Sequence, residues 1–315
     1  MKYNLKTTSD VTQSELIVLP VFSDGETLKF SSNWDKALKE FFSGLTLSNN
    51  FAGKSGQSVF FNSIEGHHFI ALGLGDKKKF KAENLRREMA KLATSSKGKC
   101  SSLTLNLESL KTGGLDATVN AIVEGMELAL YAFDTHLSTK SESKLKTVNL
   151  DTKEKGSTLK KLQKVLDDTL HVTESISIAR DFVNSPPNVL NSETYAKAVK
   201  KDVSKISGVS VKINGKKELQ KMGAGLFLSV NAGSAFEPQM VHLTYTPKKV
   251  TKKTKHVALV GKGLTFDTGG YSLKPGGSMV NMKFDMAGSA TMFGAFRAAA
   301  LLELPVKVTC VLGMT

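Results

Sequence analysis

Apolar and polar residues along the first part of the chain follow two periods in turn. Apolar, β-rich runs with alternation typical of strands are followed by stretches with the three-to-four-residue spacing of an amphipathic helix. This order of elements indicates an α/β layered structure. The predicted strands are 14–22, a pair within 57–76 joined near 65–66, and 101–109, and the predicted helices are 33–44, 84–94 and 117–134.

The same alternation returns in the second part of the chain. Pro186 and Pro187 must end the first helix there, because proline lacks an N–H and disfavours helical geometry in the residue before it. Asn191 or Ser192 can cap the next helix. The predicted helices are 162–182, 191–204, 216–223 and 286–302, and the predicted strands are 209–215, 226–233, 239–247, 256–263 and 306–315.

Between the two parts, residues 135–160 are polar and rich in Ser, Thr and Lys, which is typical of a linker. We therefore predict an α/β fold with two domains. A smaller N-terminal α/β domain covers 1–145, a linker region covers 146–165, and a second α/β domain covers 166–315. A mixed central sheet flanked by helices is expected in the second domain.

Composition sets the broad class of protein. The chain has 315 residues, of which 40% are hydrophobic, so a sizeable core can form. The sequence has no apolar run of about 18 residues and no signal-peptide pattern, so no membrane span is predicted. Cys100 and Cys310 are predicted to be buried free thiols in a reducing compartment, which favours a cytoplasmic location.

The formal net charge is +14, from 43 Lys and Arg against 29 Asp and Glu. Such a charge is compatible with an anionic partner, including nucleic acid. The lysines are dispersed and are not interleaved with aromatic residues, so a solvated lysine-rich surface is the favoured interpretation. Nucleic-acid binding stays open as the alternative.

Two common kinds of site do not fit the sequence. A P-loop would need a glycine at position 48, where this chain has Ser48 before Gly53-Lys54-Ser55. The six histidines form no H-E-x-x-H zinc motif. Any metal would therefore be held mainly by oxygen ligands.

A cluster of charged residues follows the predicted strand 256–263. Lys262, Asp267, Lys274 and Asp285 lie within 24 residues among many glycines. Ligand sites in open α/β sheets gather at the carboxyl ends of strands, and carboxylates there can bind cations. A pair of loop salt bridges would explain the same residues, and the pattern alone leaves both interpretations open.

Residues 260–291, VGKGLTFDTGGYSLKPGGSMVNMKFDMAGSAT, closely resemble the signature of the M17 leucyl aminopeptidases. The segments ARDFVNSPPNVLNSETYA, 179–196, and MGAGLFLSVNAGSAFEPQMVHLTY, 222–245, resemble two further stretches of that family. The resemblance is strong over 179–315 and weak over 1–150, although the family does have an α/β N-terminal domain.

The resemblance implies a site with two divalent metal ions, zinc or manganese ahead of magnesium or cobalt. It makes Lys262, Asp267 and Asp285 metal ligands and Lys274 the catalytic residue, a cation that stabilises the oxyanion. A lysine amine ligates a metal only without its proton. A Lys262 sheltered by its glycine-walled turn is therefore expected.

The implied activity is a metal-dependent aminopeptidase, which releases N-terminal leucine and similar residues from peptides by attack of a two-metal-activated water. A homohexamer and a bound bicarbonate are implied for the complete protein. The alternatives are a DNA-binding family member and a catalytically inactive fragment.

The family's second ligand cluster, N-T-D-A-E-G-R, is absent from this sequence. We therefore expect the chain to be an incomplete aminopeptidase, with weak metal affinity and no turnover when made alone.

Overall fold

The structure is a computed structural model, and it describes two compact units, Met1–Leu170 and His171–Thr315. Each unit contains a β-sheet and helices, so the predicted two-domain α/β fold class is confirmed. The helix predicted at 33–44 and the joint near 65–66 lie outside the described residues. The described residues are 1–8, 14–24, 27–30, 51–62, 68–140 and 142–315.

In the first unit, seven strands of the described chain form one sheet in the order β1-β7-β6-β2-β5-β4, with β3 paired to β2. The strands β1, β7, β6, β2 and β5 are parallel to one another. The strands β3 and β4 are antiparallel to their neighbours β2 and β5. The strands are β1 Lys2–Thr7, β2 Leu16–Asp24, β3 Thr27–Phe30, β4 Ser58–Asn62, β5 His68–Gly75, β6 Ser102–Asn106 and β7 Thr147–Thr152.

Two helices, α1 (Ala82–Ser96) and α2 (Leu115–Leu130), contribute to the core of this unit. Leu85, Met89 and Leu92 of α1 are fully buried, at the spacing of one helix face. Gly125 of α2 lies so close to α1 that an added Cβ would stand 2.3 Å from the carbonyl oxygen of Arg86. The two helices therefore pack closely at this position.

Residues 146–165, predicted as a linker region, contain β7 and the first turns of a long helix, α3 (Gly156–Asn184). The strand β7 pairs with β1 and β6 and is mostly buried, so this segment is part of the first unit's sheet. The polar residues Asn149, Asp151 and Thr152 of this strand are buried. The domain limits 1–145 and 166–315 stay a prediction.

In the second unit, four strands of the described chain form a sheet in the order β10-β11-β9-β8. The pair β10 and β11 is parallel and the other pairs are antiparallel, so the predicted mixed sheet is confirmed. Alternate residues of β9 and β11, among them Leu243 and Cys310, are buried in one core. The strands are β8 Val209–Asn214, β9 Gln239–Tyr245, β10 His256–Gly263 and β11 Lys307–Met314.

The helices predicted at 191–204, 216–223 and 286–302 begin and end within two residues of the observed positions. Asn191 caps α4, since its side-chain oxygen accepts the N–H groups of Glu193 and Thr194. The chain leaves α3 just before Pro186 and Pro187. The helices that follow α3 are α4 Ser192–Val203, α5 Lys216–Lys221, α6 Gly225–Asn231, α7 Gly276–Met279 and α8 Ala287–Leu301, with a 3-10 turn at Val280–Phe284.

The strand predicted at 226–233 is wrong, because this segment is the helix α6. A short apolar run fits either element, so the pattern could not separate the two. Leu226 and Val230 lie one helical turn apart and are exposed, while the Phe227 ring packs against Gly313 of β11. The apolar residues of this run therefore do not form one buried strand face.

The two cysteines are free and buried, as predicted. Burial raises the pKa of Cys100 to about 11 and that of Cys310 to about 12, so both remain protonated thiols near neutral pH. Among the described helices, none has the length and apolar content needed to cross a membrane.

Candidate functional site

The strand β10 carries Lys262 to its carboxyl end between two glycines that leave no room for a side chain. A Cβ on Gly261 would stand 2.5 Å from Ser289 Cα, and one on Gly263 would stand 2.5 Å from the carbonyl oxygen of Gly313. The strand therefore lies directly against the first turn of α8. Because side chains alternate along a strand, Lys262 projects to the opposite side.

The loop after β10 turns back sharply at two glycines. Gly269 and Gly270 have φ of 93° and 74°, in the left-handed region that favours glycine. The turn is closed by a hydrogen bond of 2.9 Å from Lys274 N to the carbonyl oxygen of Thr268. It brings Lys274 Nζ to 2.7 Å from Asp267 Oδ2, while Asp267 Oδ1 accepts the N–H of Gly269. The loop thus forms an ion pair between two of the predicted site residues.

Asp285 follows the 3-10 turn and stands just before α8. Its Oδ2 atom lies 2.8 Å from Lys262 Nζ, and the Lys262 side chain is 60% exposed. The same Oδ2 is shielded from solvent and makes no aligned hydrogen bond within the described structure. The contact with Lys262 is therefore an ion pair without hydrogen-bond geometry, and Oδ2 has no other polar partner among the described residues.

The structure brings all four predicted residues into two ion pairs, Lys262 with Asp285 and Lys274 with Asp267. The positive charge of Lys262 also acts on Asp267, which links the pairs electrostatically. The residues that form these salt bridges are the same residues that were predicted to form a cation site. A sheltered Lys262 was expected, but its side chain is more than half exposed, although its Cβ lies close to Gly288 in the first turn of α8.

Two hydrogen bonds hold the pKa of Asp267 below its usual range. The one from Lys274 has the larger effect, and the one from Gly269 N has the smaller. We predict that Lys274→Met raises the pKa of Asp267. A depressed carboxyl pKa stabilises the fold above the unfolded-chain value of about 3.9, and this contribution is lost as pH falls through the folded pKa. A carbon NMR titration of the Asp267 carboxyl tests this, and an unchanged midpoint in the variant would contradict it.

The described residues fit part of a metal centre. The shielded Oδ2 of Asp285, paired with the Lys262 ammonium, is an acceptor that a cation could use, and two carboxylates with one amine suit zinc or manganese. Within the described ranges, however, no group of three or more His, Cys, Asp or Glu side chains could hold a metal ion. These residues would therefore supply only part of the coordination that two ions need.

Several contacts near the site involve residues that the sequence did not single out. Met282 Sδ lies 3.1 Å from Lys274 Nζ, and Lys283 Nζ donates to the carbonyl oxygen of Asn184 at 3.2 Å. The hydroxyls of Tyr195 and Ser289 are hydrogen bonded at 3.0 Å, and burial raises the pKa of Tyr195. All four lie in the motif segments, but the sequence does not show which distant residues they contact.

A groove of about 540 Å³ runs between α3 and α8 and includes none of the four predicted site residues. Small and apolar side chains, such as those of Ala179, Ala295 and Ala298, form much of its lining. The charged cluster at the end of β10 therefore stands as the candidate site on its chemistry, not on the presence of a cavity.

Sequence comparison decides the family. Residues 177–315 match the profile of the catalytic domain of the cytosol aminopeptidase family, and residues 18–140 match that of its N-terminal domain. The chain belongs to the cytosol aminopeptidase family. Both parts of the chain, including the N-terminal part with weak motif resemblance, thus have counterparts in that family.

Curated relatives of this family are similar along most of the chain. A probable cytosol aminopeptidase of Clostridium tetani is 33% identical over 301 residues, which cover 94% of this chain and 60% of that protein. A probable cytosol aminopeptidase of Corynebacterium diphtheriae is 35% identical, with 98% of this chain and 62% of the relative covered. The chain therefore spans about three fifths of the length of these family members.

Solved structures of similar proteins agree in fold. The bottromycin maturation enzyme BotP in complex with Mn has 26% identity and a TM-score of 0.77, with 96% of this chain and 60% of BotP covered. A K354E mutant of tomato leucine aminopeptidase has a TM-score of 0.81 at 23% identity, with 99% of this chain and 62% of that chain covered, and shows the fold alone.

Proposed function

We propose that this chain forms part of a metal-dependent aminopeptidase that releases leucine and similar residues from the N-termini of peptides. One observation carries the proposal: the Oδ2 of Asp285 is shielded from solvent and lies 2.8 Å from the Lys262 amine at the end of β10, within the family's signature segment. Lys262, Asp267 and Asp285 would hold two divalent ions, either zinc or manganese. The manganese bound in BotP supports the second choice by analogy.

Bound divalent ions would supply an activated water at neutral pH and a polarised peptide carbonyl. Lys274 would contribute the fixed positive charge. Its Nζ is held between Asp267 Oδ2 and Met282 Sδ, and only 26% of its side chain is exposed. A cation placed in this way can donate a hydrogen bond to the negative charge that develops on the carbonyl oxygen.

Two versions of the protein test the proposal. The chain as given is expected to show weak metal binding and no hydrolysis of leucine p-nitroanilide, since the described residues offer only part of a metal centre. The "extended chain" is this chain followed by the residues that come after the aligned segment in the C. tetani relative. It is expected to hydrolyse the same substrate when manganese or zinc is added, and to lose activity when the metal is removed.

The control for the extended chain is Lys205→Met, which removes one exposed positive charge far along the sequence from the signature segment and should leave turnover unchanged. An extended chain that folds and binds metal but does not hydrolyse aminoacyl substrates would contradict the proposal. Turnover by the chain as given would contradict the expected inactivity.

The other implied properties stay predictions. A homohexamer and a bicarbonate ion follow only from the family resemblance and concern the complete protein. A cytoplasmic location is an expectation from the two free cysteines, and nucleic-acid binding is an expectation from the family resemblance and the net charge of +14.

A further inference from the structure

Lys283 makes a long-range contact that the proposed reaction does not use. It lies in the 3-10 turn Val280–Phe284, two residues before Asp285, and its side chain is partly buried. Its Nζ donates a hydrogen bond of 3.2 Å to the main-chain oxygen of Asn184, 99 residues earlier. The contact therefore joins the turn that precedes Asp285 to the last residue of α3.

The carboxyl end of α3 is a favourable place for such a donor. The last carbonyls of a helix have no partner within the helix, and donors from the following residues or a nearby cation usually satisfy them. Here Pro186 and Pro187 have no N–H to donate, and the last turn of α3 contains no basic residue. The ammonium of Lys283 supplies both a donor and the positive charge that the carboxyl end of a helix favours.

The same short turn also carries the contacts of the candidate site. Met282 lies against Lys274, and the N–H of Asp285 bonds to the carbonyl oxygen of Met282. A turn of five residues has few bonds of its own, so a charged hydrogen bond to a 29-residue helix restricts it strongly.

We propose that Lys283 is a positioning residue, which anchors the 3-10 turn to the end of α3 and thereby fixes the Asp285 carboxylate beside Lys262. The inference rests on the proposed function for the importance of Asp285. The anchoring itself depends only on the contacts described here, and the chain as given is sufficient to test it.

The test compares Lys283→Met, which keeps an apolar stem, with Lys283→Arg, which keeps a charged donor, and with the control Lys205→Met. Two NMR measurements are made. The first is the rate of hydrogen exchange at the bonded amides of Asp285 and Ser185, and the second is the carboxyl carbon shift of Asp285. Lys283→Met is expected to speed exchange at both amides about tenfold and to move the carboxyl signal. Lys283→Arg and the control Lys205→Met should both give the exchange rates and the carboxyl shift of the unaltered chain.

Faster exchange at Ser185 with no change at Asp285 would overturn the proposal, because Lys283 would then cap α3 without positioning the carboxylate. An absence of change at both residues would also overturn it. If Lys283→Met does not fold, Lys283→Gln replaces it in the same comparison. Cobalt titration of the extended chain is a separate measurement, and failure of the unaltered protein to bind cobalt would count against the proposed function and not against the anchor.

Discussion

Lys274→Met in the metal-loaded extended chain is expected to lower kcat by about 10²–10³-fold, which corresponds to about 3–4 kcal/mol of lost transition-state stabilisation. The methionine keeps the length and the apolar stem of the side chain but has no charged donor for the oxyanion. Since Lys274 would act on charge that exists only in the transition state, KM should change much less than kcat.

Steady-state hydrolysis of leucine p-nitroanilide by the extended chain gives both constants. Metal content is measured in parallel, because the substitution also removes the partner of Asp267 and could alter metal binding. A variant with full metal content and near-normal kcat would show that Lys274 is not the catalytic cation. Lys205→Met again serves as the charge-matched control.

The second large effect concerns stability. The side chain of Arg297 in α8 is 9% exposed, and its contacts connect α8 with α3 and α4. Its Nε lies 2.8 Å from Asp202 Oδ2. Its guanidinium also pairs with Glu174 and is hydrogen bonded to Ser175. Arg297→Met is expected to cost about 3 kcal/mol of unfolding free energy, at the lower end of the range for broken buried ion pairs. The lower end applies because Asp202 and Glu174 both retain some solvent contact, with 23% and 58% of their side chains exposed.

Urea unfolding of the chain as given, followed by circular dichroism, measures this loss. The matched control is Arg87→Met on α1, where the arginine is 73% exposed and its ion pair with Glu83 should contribute about 1 kcal/mol or less. In a variant that combines Arg297→Met with Asp202→Asn, part of the stability should return, since no uncompensated carboxylate would remain beside the methionine. A loss at Arg297 no larger than at Arg87 would contradict the prediction.

The sequence predicted the elements around the site well because they are strongly patterned. The strand at 256–263 has the same limits in the structure, and the helix predicted at 286–302 differs from α8 by one residue at each end. An apolar strand bounded by glycines and a helix rich in small residues are local signals. The four charged residues were found for the same reason, since the signature segment holds all of them.

What the sequence could not provide depends on contacts between distant segments. The exposure of Lys262 depends on which segments pack around β10, and the contact of Lys283 joins positions 99 residues apart. The strand β1 was not singled out because it is short and its only apolar residues, Tyr3 and Leu5, lie between polar ones. Burial of Asn149 and its hydrogen bond with Asn4 compensate for that polarity only once the sheet has formed.

The position of β1 in the sheet also bears on how the protein is made. Lys2 of β1 pairs with Thr147 of β7, so β1 has a partner that is synthesised about 145 residues later. At ribosomal speeds of about 5–20 residues per second, β1 waits roughly 7–30 s before that partner has been synthesised. During synthesis β1 therefore becomes ordered only after most of the first unit has been made.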